Sequence, residues 1–159
     1  MKKSANKPKS RSLVLEPAVA YRRKETPEAH QILGIDEDDV MGVLQRVRTF
    51  RKGLTKSAFN YLKEISGLDN ETLARALAVS SKTIQRTEVF DAVQSERMYL
   101  LADLYASGIA YFGLEGFRTW MNRPLLTLGN NAPVDLLDTT EGINLIKAEI
   151  HRVQHGIVI

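Results

Sequence analysis

The 159 residues contain no cysteine. Disulfides and thiolate metal sites are therefore excluded, and a cytoplasmic location is expected. No run of about 18 apolar residues occurs, so neither a transmembrane helix nor a membrane partner is expected. The basic start, Met1-Lys2-Lys3-Ser4, is not followed by an apolar stretch and does not resemble a secretory signal. The chain lacks a P-loop, a GxGxxG turn, a GxSxG elbow and a cysteine nucleophile. Nothing in it supports an enzyme or a cofactor. Histidines number three and tryptophan one.

What is present is unevenly distributed. Residues 1–27 carry eight basic against two acidic groups, giving +6. Residues 28–86 are at +1, with nine basic and eight acidic groups, and residues 87–159 are at −4, with five and nine. A positive front suits nucleic acid, and an acidic rear suits a different partner. The first 27 residues, rich in Lys, Ser and Pro, are expected to be a disordered or loosely attached tail, either solubilising or touching DNA.

The next segment reads as helices. The acidic run Asp36–Asp39 precedes Val40, Val43, Leu44, Val47 and Phe50 at helical spacing, where it offsets the helix dipole. Arg46, Arg48, Arg51 and Lys52 give that helix a basic end, and Gly53 stops it. Thr55 caps a helix to about Ser66, with Phe59, Leu62 and Ile65 inward. Asp69 or Asn70 then opens a short helix to Leu77. The tight turn Ala78-Val79-Ser80 follows, and then Ser81-Lys82-Thr83-Ile84-Gln85-Arg86. Two short helices joined by such a turn are the helix-turn-helix pattern. Ala74 lies at the crossing, Val79 and Ile84 anchor it, and Ser80 caps the second helix. Ala78 holds a position commonly occupied by Gly, and if the turn needs positive φ, Ala there costs about 1 kcal/mol. Ser81, Lys82, Thr83, Gln85 and Arg86 are of the types that reach phosphates and base edges. The same unit could also serve packing or dimerisation alone.

Residues 91–112 form a longer helix with Met98, Leu101, Ala102, Tyr105, Ile109 and Phe112 on its apolar face. Tyr111, Phe112, Phe117 and Trp120 follow at helical spacing and read as core. Pro133 suits the first turn of a short helix to Leu137. Asp138 or Thr139 can cap the last helix, with Glu141 completing a capping box on Asp138. That helix carries the stripe Ile143, Ile146, Ile150 and Val153, and Gly156 ends it. His151 and His155, four apart, have metal-ligand spacing but no third ligand nearby. Charge at a helix C-terminus explains them together with Arg152, as does a role in facing a partner's pocket.

A helix ending at Trp120, Pro124 shortly after it, the Leu128-Gly129 turn, Pro133-Val134-Asp135-Leu136-Leu137 and the final Arg152-x-x-His155-Gly156 resemble the toxin-binding domain of the Xre/MbcA/ParS antitoxins. The likeness covers about residues 95–159, and residues 53–90 resemble the helix-turn-helix that precedes this domain in the family. The resemblance implies an all-α fold in three parts: a tail (1–27), a helical region with the helix-turn-helix (28–91) and a toxin-binding domain (92–159). It also implies a non-enzymatic antitoxin that occludes the active site of a RES-domain, NAD-degrading toxin and represses its own promoter by binding operator DNA. His151, Arg152, His155, Gly156, Ile157, Val158 and Ile159 would then face the toxin. A homodimer is expected, because palindromic operators demand two-fold symmetry. The rival reading is a stand-alone transcription regulator whose C-terminal part only dimerises.

Overall fold

A computed structural model describes residues 26–156, and its regular elements are helical. Expectations for the tail before Thr26 and for Ile157, Val158 and Ile159 lie outside the described residues. Eight α-helices follow in order: α1 (Ala29–Leu33), α2 (Val43–Lys52), α3 (Lys56–Ser66), α4 (Asn70–Ala76), α5 (Ser81–Arg86), α6 (Ala92–Phe112), α7 (Leu114–Met121) and α8 (Thr140–Gln154). Among the described residues the only β-type pairing consists of two isolated bridges, Thr55 with Val89 and Leu125 with Asn131. The all-α expectation holds.

α6 is the axis. Asp91 caps it through the Gln94 N–H, and Gln94 returns the bond to the Asp91 N–H, so both ends of a capping box are made. Met98, Leu101, Ala102, Leu104 and Tyr105 are fully buried on one broad side, and Tyr99 and Leu100, partly buried, extend the apolar surface around the helix. Such a helix must be covered on several sides, and α1, α2, α3, α7 and α8 all pack on it. Gly108 makes room for the Phe117 ring of α7. A Cβ there would lie 2.2 Å from the Phe117 ring, and that ring meets Tyr105 edge-on at 5.0 Å. One hydrophobic cluster runs from Ala29 to Ile150.

Polar groups tie this cluster together. The buried Ser95 hydroxyl accepts from the Leu54 N–H (2.8 Å) and donates to the Phe90 carbonyl (3.3 Å). From α7, Arg118 donates to the Glu64 and Ile65 carbonyls at 2.8 and 2.9 Å. It thereby caps the C-terminal end of α3, where orphan carbonyls and the helix dipole favour a cation. Arg97 Nη1 donates to the Ala76 carbonyl (3.0 Å) at the end of α4 and to the Asp138 carbonyl (3.1 Å) just before α8.

Several local expectations are corrected. The acidic run does not start α2. Glu37–Asp39 make a separate 3-10 turn, and α2 begins after Gly42 (φ 83°) with no acid in its first turn. The Thr49 hydroxyl donates to the Asp39 carbonyl at 2.6 Å, so the turn lies beside α2 and not ahead of it. The apolar face expected on that helix is not core, since no residue of α2 is buried. Pro133–Leu136 is a 3-10 turn and not an α-helix. Thr139, not Asp138, caps α8 by accepting the Gly142 N–H, and no capping box forms there. Trp120 is only half-buried. It stacks on Phe112 and Phe117 at 5.2 and 5.7 Å, at the edge of the core, and Tyr111 is exposed.

The α6–α7 contact yields a test. Gly108→Ala should force the Phe117 ring to shift and destabilise the fold by about 1–3 kcal/mol. Denaturant unfolding measures it, and a midpoint equal to wild type would mean that α7 is not seated against α6 at Gly108.

Candidate functional site: the recognition helix and the end of α8

The helix-turn-helix is built as its sequence suggests. The Asp69 carboxylate accepts the Thr72 N–H at 2.7 Å and caps α4. That backbone bond is the main cause holding the Asp69 carboxyl below its usual range. Leu73, Ala74, Leu77 and Ile84 are buried at the crossing. Ala78 sits at φ 55°, so the turn does need positive φ and Ala carries the strain there. Ser80 caps α5, accepting the Thr83 N–H at 3.1 Å. Lys56 donates its ammonium to the Ile84 carbonyl.

With Ile84 pointing inward, Lys82, Thr83, Gln85 and Arg86 are left exposed on α5 and Ser81 half-exposed. The outer face is therefore two cations, an amide and two hydroxyls. Such a face can donate to phosphates and to guanine or adenine edges. The Thr83 hydroxyl is already engaged with Ser80 Oγ at 2.9 Å.

The second constellation lies in the acidic rear. Ile143, Ile146 and Ile150 of α8 are buried, and Val153 is half-buried. Gly142 permits the close entry of α8, because a Cβ there would meet the Leu136 carbonyl oxygen at 1.9 Å. Lys147 pairs with Asp103 of α6. The Tyr111 hydroxyl reaches the Val153 carbonyl at 3.5 Å.

Glu149 is the residue that sequence reasoning missed. It is 8% exposed. Its carboxylate accepts from the Thr127 hydroxyl at 2.7 Å and from Arg152 Nε and Nη2 at 2.9 and 2.5 Å. The Arg152 bonds, reinforced by Thr127 and opposed by burial, hold its carboxyl below the usual glutamate range, and the same pairing raises Arg152. Arg152 is thus an intramolecular partner first. The bond that ties α8 to the Leu126–Leu128 turn is that of Glu149 with Thr127, and Arg152 supports the same carboxylate from one turn further on. The signal was an acid placed between Ile146 and Ile150, three residues before an arginine.

Beyond this clamp, His151 and His155 are exposed, with ring centroids 4.2 Å apart, and Gly156 turns at φ 64°. A shallow groove near them is walled by Trp120, Pro124, Leu125, Leu126 and Val153 together with the polar Arg123, Thr127, Glu149 and Arg152. Leu126 stands 85% exposed at its lip. The structure therefore brings His151, Arg152, His155 and Gly156 together at the C-terminal end of α8 and just beyond it, near a groove of mixed apolar and polar lining.

The clamp has a pH signature. Because the folded-state pKa of Glu149 is depressed, its stabilisation is complete above the ordinary glutamate value of 4.5 and is lost as pH falls through the lower folded value. Glu149→Gln should lose about 1–3 kcal/mol at neutral pH and flatten the acid limb of a plot of Tm against pH. Identical acid limbs in the two proteins would show that the carboxylate carries no such stability.

Comparison with known proteins places both constellations in one lineage. Residues 45–103 match the family model of the antitoxin Xre-like helix-turn-helix domain. Residues 107–156 match that of the antitoxin Xre/MbcA/ParS C-terminal toxin-binding domain. A protein of Sphingobium sp. named Prs ADP-ribosylating antitoxin is 25% identical, with 71% of this chain and 80% of that protein covered. The antitoxin Xre of Yersinia enterocolitica is 23% identical, with 70% of this chain and 79% of that protein covered. The two matched segments follow one another along the chain and take in α5 and the end of α8: the chain is an antitoxin of a toxin–antitoxin system and belongs to the Xre/MbcA/ParS family.

Proposed function

We propose that this antitoxin neutralises a RES-type, NAD-degrading toxin by covering its active site with the end of α8, and that as a homodimer it represses its own operon through α5. It acts by occlusion and supplies no catalysis of its own. The observation that carries this reading is the way α8 ends. Glu149 ties the last turns to Thr127 and Arg152, while His151, His155 and Gly156 are exposed near a groove of mixed lining. A preorganised projection loses little entropy on binding. Arg152 serves mainly to position this end, and it meets the toxin as one half of an ion pair. Ile157, Val158 and Ile159 follow the Gly156 turn and offer apolar side chains for the toxin to bury, worth on the order of 5 kcal/mol before ordering costs. Labour divides along the chain, with residues 28–91 reading DNA and residues 92–159 taking the toxin.

On the DNA side, Arg86 is the candidate for a bidentate base contact, with Lys82 and Gln85 beside it. Arg86→Ala should weaken operator binding by about 1–3 kcal/mol, and the triple alanine variant should abolish specific binding. A mobility-shift titration at fixed salt reads both. Unchanged affinity in the triple variant would remove α5 from the DNA interface.

On the toxin side, the clamp dictates the choice of variant. A deletion from residue 151 onwards would also remove Arg152 and leave Glu149 buried without its partner. Deletion of Ile157–Ile159 keeps Glu149, Thr127 and Arg152 in the chain, and growth rescue of toxin-expressing cells should fall sharply while operator binding, measured in parallel with thermal stability, should match wild type. Full rescue would mean that the end of α8 does not plug the toxin and that the groove around Leu126 carries inhibition. A protein that binds operator but no toxin at all would be a stand-alone regulator.

A further inference from the structure

We propose that Arg97 of α6 is a positioning residue for DNA binding: it holds the strained turn between α4 and α5 and so sets the direction of α5. The proposal rests on the reading of α5 as the DNA-contacting helix and adds to it a residue that lies on neither α4 nor α5.

The end of α4 shows what needs holding. The Leu73, Ala74 and Arg75 carbonyls accept from the N–H groups of Leu77, Val79 and Ala78 at 2.9, 2.9 and 3.0 Å. The crossed pair, Val79 to Ala74 and Ala78 to Arg75, is a Schellman closure, which puts Ala78 in the left-handed region. Gly suits that position best, yet Ala78 occupies it at φ 55°. A strained residue persists only where its surroundings over-determine it. Ala78 is exposed, so its own methyl group gains little from packing. Restraint has to come from the neighbours. Leu77 is buried and Val79 packs against the core. The Ala76 carbonyl, next in line, accepts from Arg97 Nη1 at 3.0 Å.

Arg97 is suited to this task. Its Nη1 carries two N–H groups, and they reach two carbonyls, that of Ala76 and that of Asp138 at 3.1 Å. The second bond fixes the guanidinium to backbone that belongs to neither α4 nor α5. A cation here also complements the negative end of α4. Lysine would keep the charge and lose the planar fork.

The consequence for α5 follows from the shortness of the connection. Leu77–Ser80 alone separate the two helices, and Ser80 is already engaged as the cap of α5. Ile84 in the core, with Lys56 on its carbonyl, holds the far end of α5. The near end takes its direction from the turn. A turn that relaxes from φ 55° re-aims the helix and carries Lys82, Gln85 and Arg86 away from their contacts.

The test uses the full chain, titrated at fixed salt against duplex DNA from upstream of its own gene, with amide hydrogen exchange as a second readout. Arg97→Gln should weaken binding by roughly three- to tenfold with every α5 side chain intact. Exchange at the Ala78 and Val79 amides should quicken, while that at Leu101 and Leu104 of α6 should not. Arg97→Lys should fall between Arg97→Gln and wild type. Ala78→Gly removes the strain, so adding Arg97→Gln to it should cost no more than about twofold. Wild-type affinity in Arg97→Gln overturns the proposal. Equal losses in the Ala78 and Ala78→Gly backgrounds overturn it as well, because Arg97 would then act on the whole fold or on DNA directly. Unchanged exchange at Ala78 and Val79 overturns the hold on the turn independently of DNA. A wild-type protein that binds no such DNA overturns the DNA reading and, with it, the role of Arg97 in binding.

Discussion

A helix that is apolar around most of its circumference cannot lie on a surface, and α6 is such a helix. Everything else in the fold follows from covering it. The helix-turn-helix side supplies Leu54, Phe59, Leu62 and Phe90, and the toxin-binding side supplies Phe117, Met121, Ile143 and Ile146. Burial on this scale leaves its mark on polar groups too. Tyr105 is fully buried against Phe117, and desolvation pushes its phenol well above the ordinary range. Ser95 is tolerated inside only because its hydroxyl serves Leu54 and Phe90 at once.

Where the sequence specified structure locally, it could be read. Caps and stops are short-range chemistry, so Thr55, Asp69, Ser80, Gly53 and Gly67 mark helix ends as their side chains and φ preferences require. The four exposed positions of α5 follow from one buried residue, Ile84, and helical geometry. The stripe Ile143, Ile146 and Ile150 fixes the inner face of α8 in the same way. Gly156 adopts its expected left-handed turn.

Where burial depended on distant partners, periodicity was silent. The pattern on α2 is as amphipathic as that on α8, yet one apolar face is covered within the chain and the other is not. An apolar stripe says that a face will be covered and does not say by what. Trp120 shows the same limit, since its stacking partners are all on α6 and α7 and its outer edge is left as a groove wall. Glu149 and Arg152 show the converse. Glu149, which the sequence reading passed over, and Arg152, read as charge at a helix C-terminus or as facing a partner, form a partly buried pair, because Thr127 of the Leu126–Leu128 turn bonds to the same carboxylate. Arg152 is consequently better understood as the anchor of the projecting end than as a free cation.

The arginines that join the halves explain why the two constellations share one molecule so closely. Arg97 has a single nitrogen within reach of two carbonyls, one ending α4 before the Ala78 turn and one preceding the Thr139 cap of α8. Arg118 belongs to α7 but satisfies the end of α3. Arg118 thus completes the end of α3 from α7, and Arg97 links the end of α4 to the residue before the α8 cap, so carbonyls of the first part are satisfied by side chains of α6 and α7. The boundary between the two family models falls between residues 103 and 107, within α6. The helix they divide packs against elements of both halves. α5 and the end of α8 are therefore two outer faces of one core, and a shift of α8 large enough to move the Asp138 carbonyl must be felt by Arg97 at the end of α4.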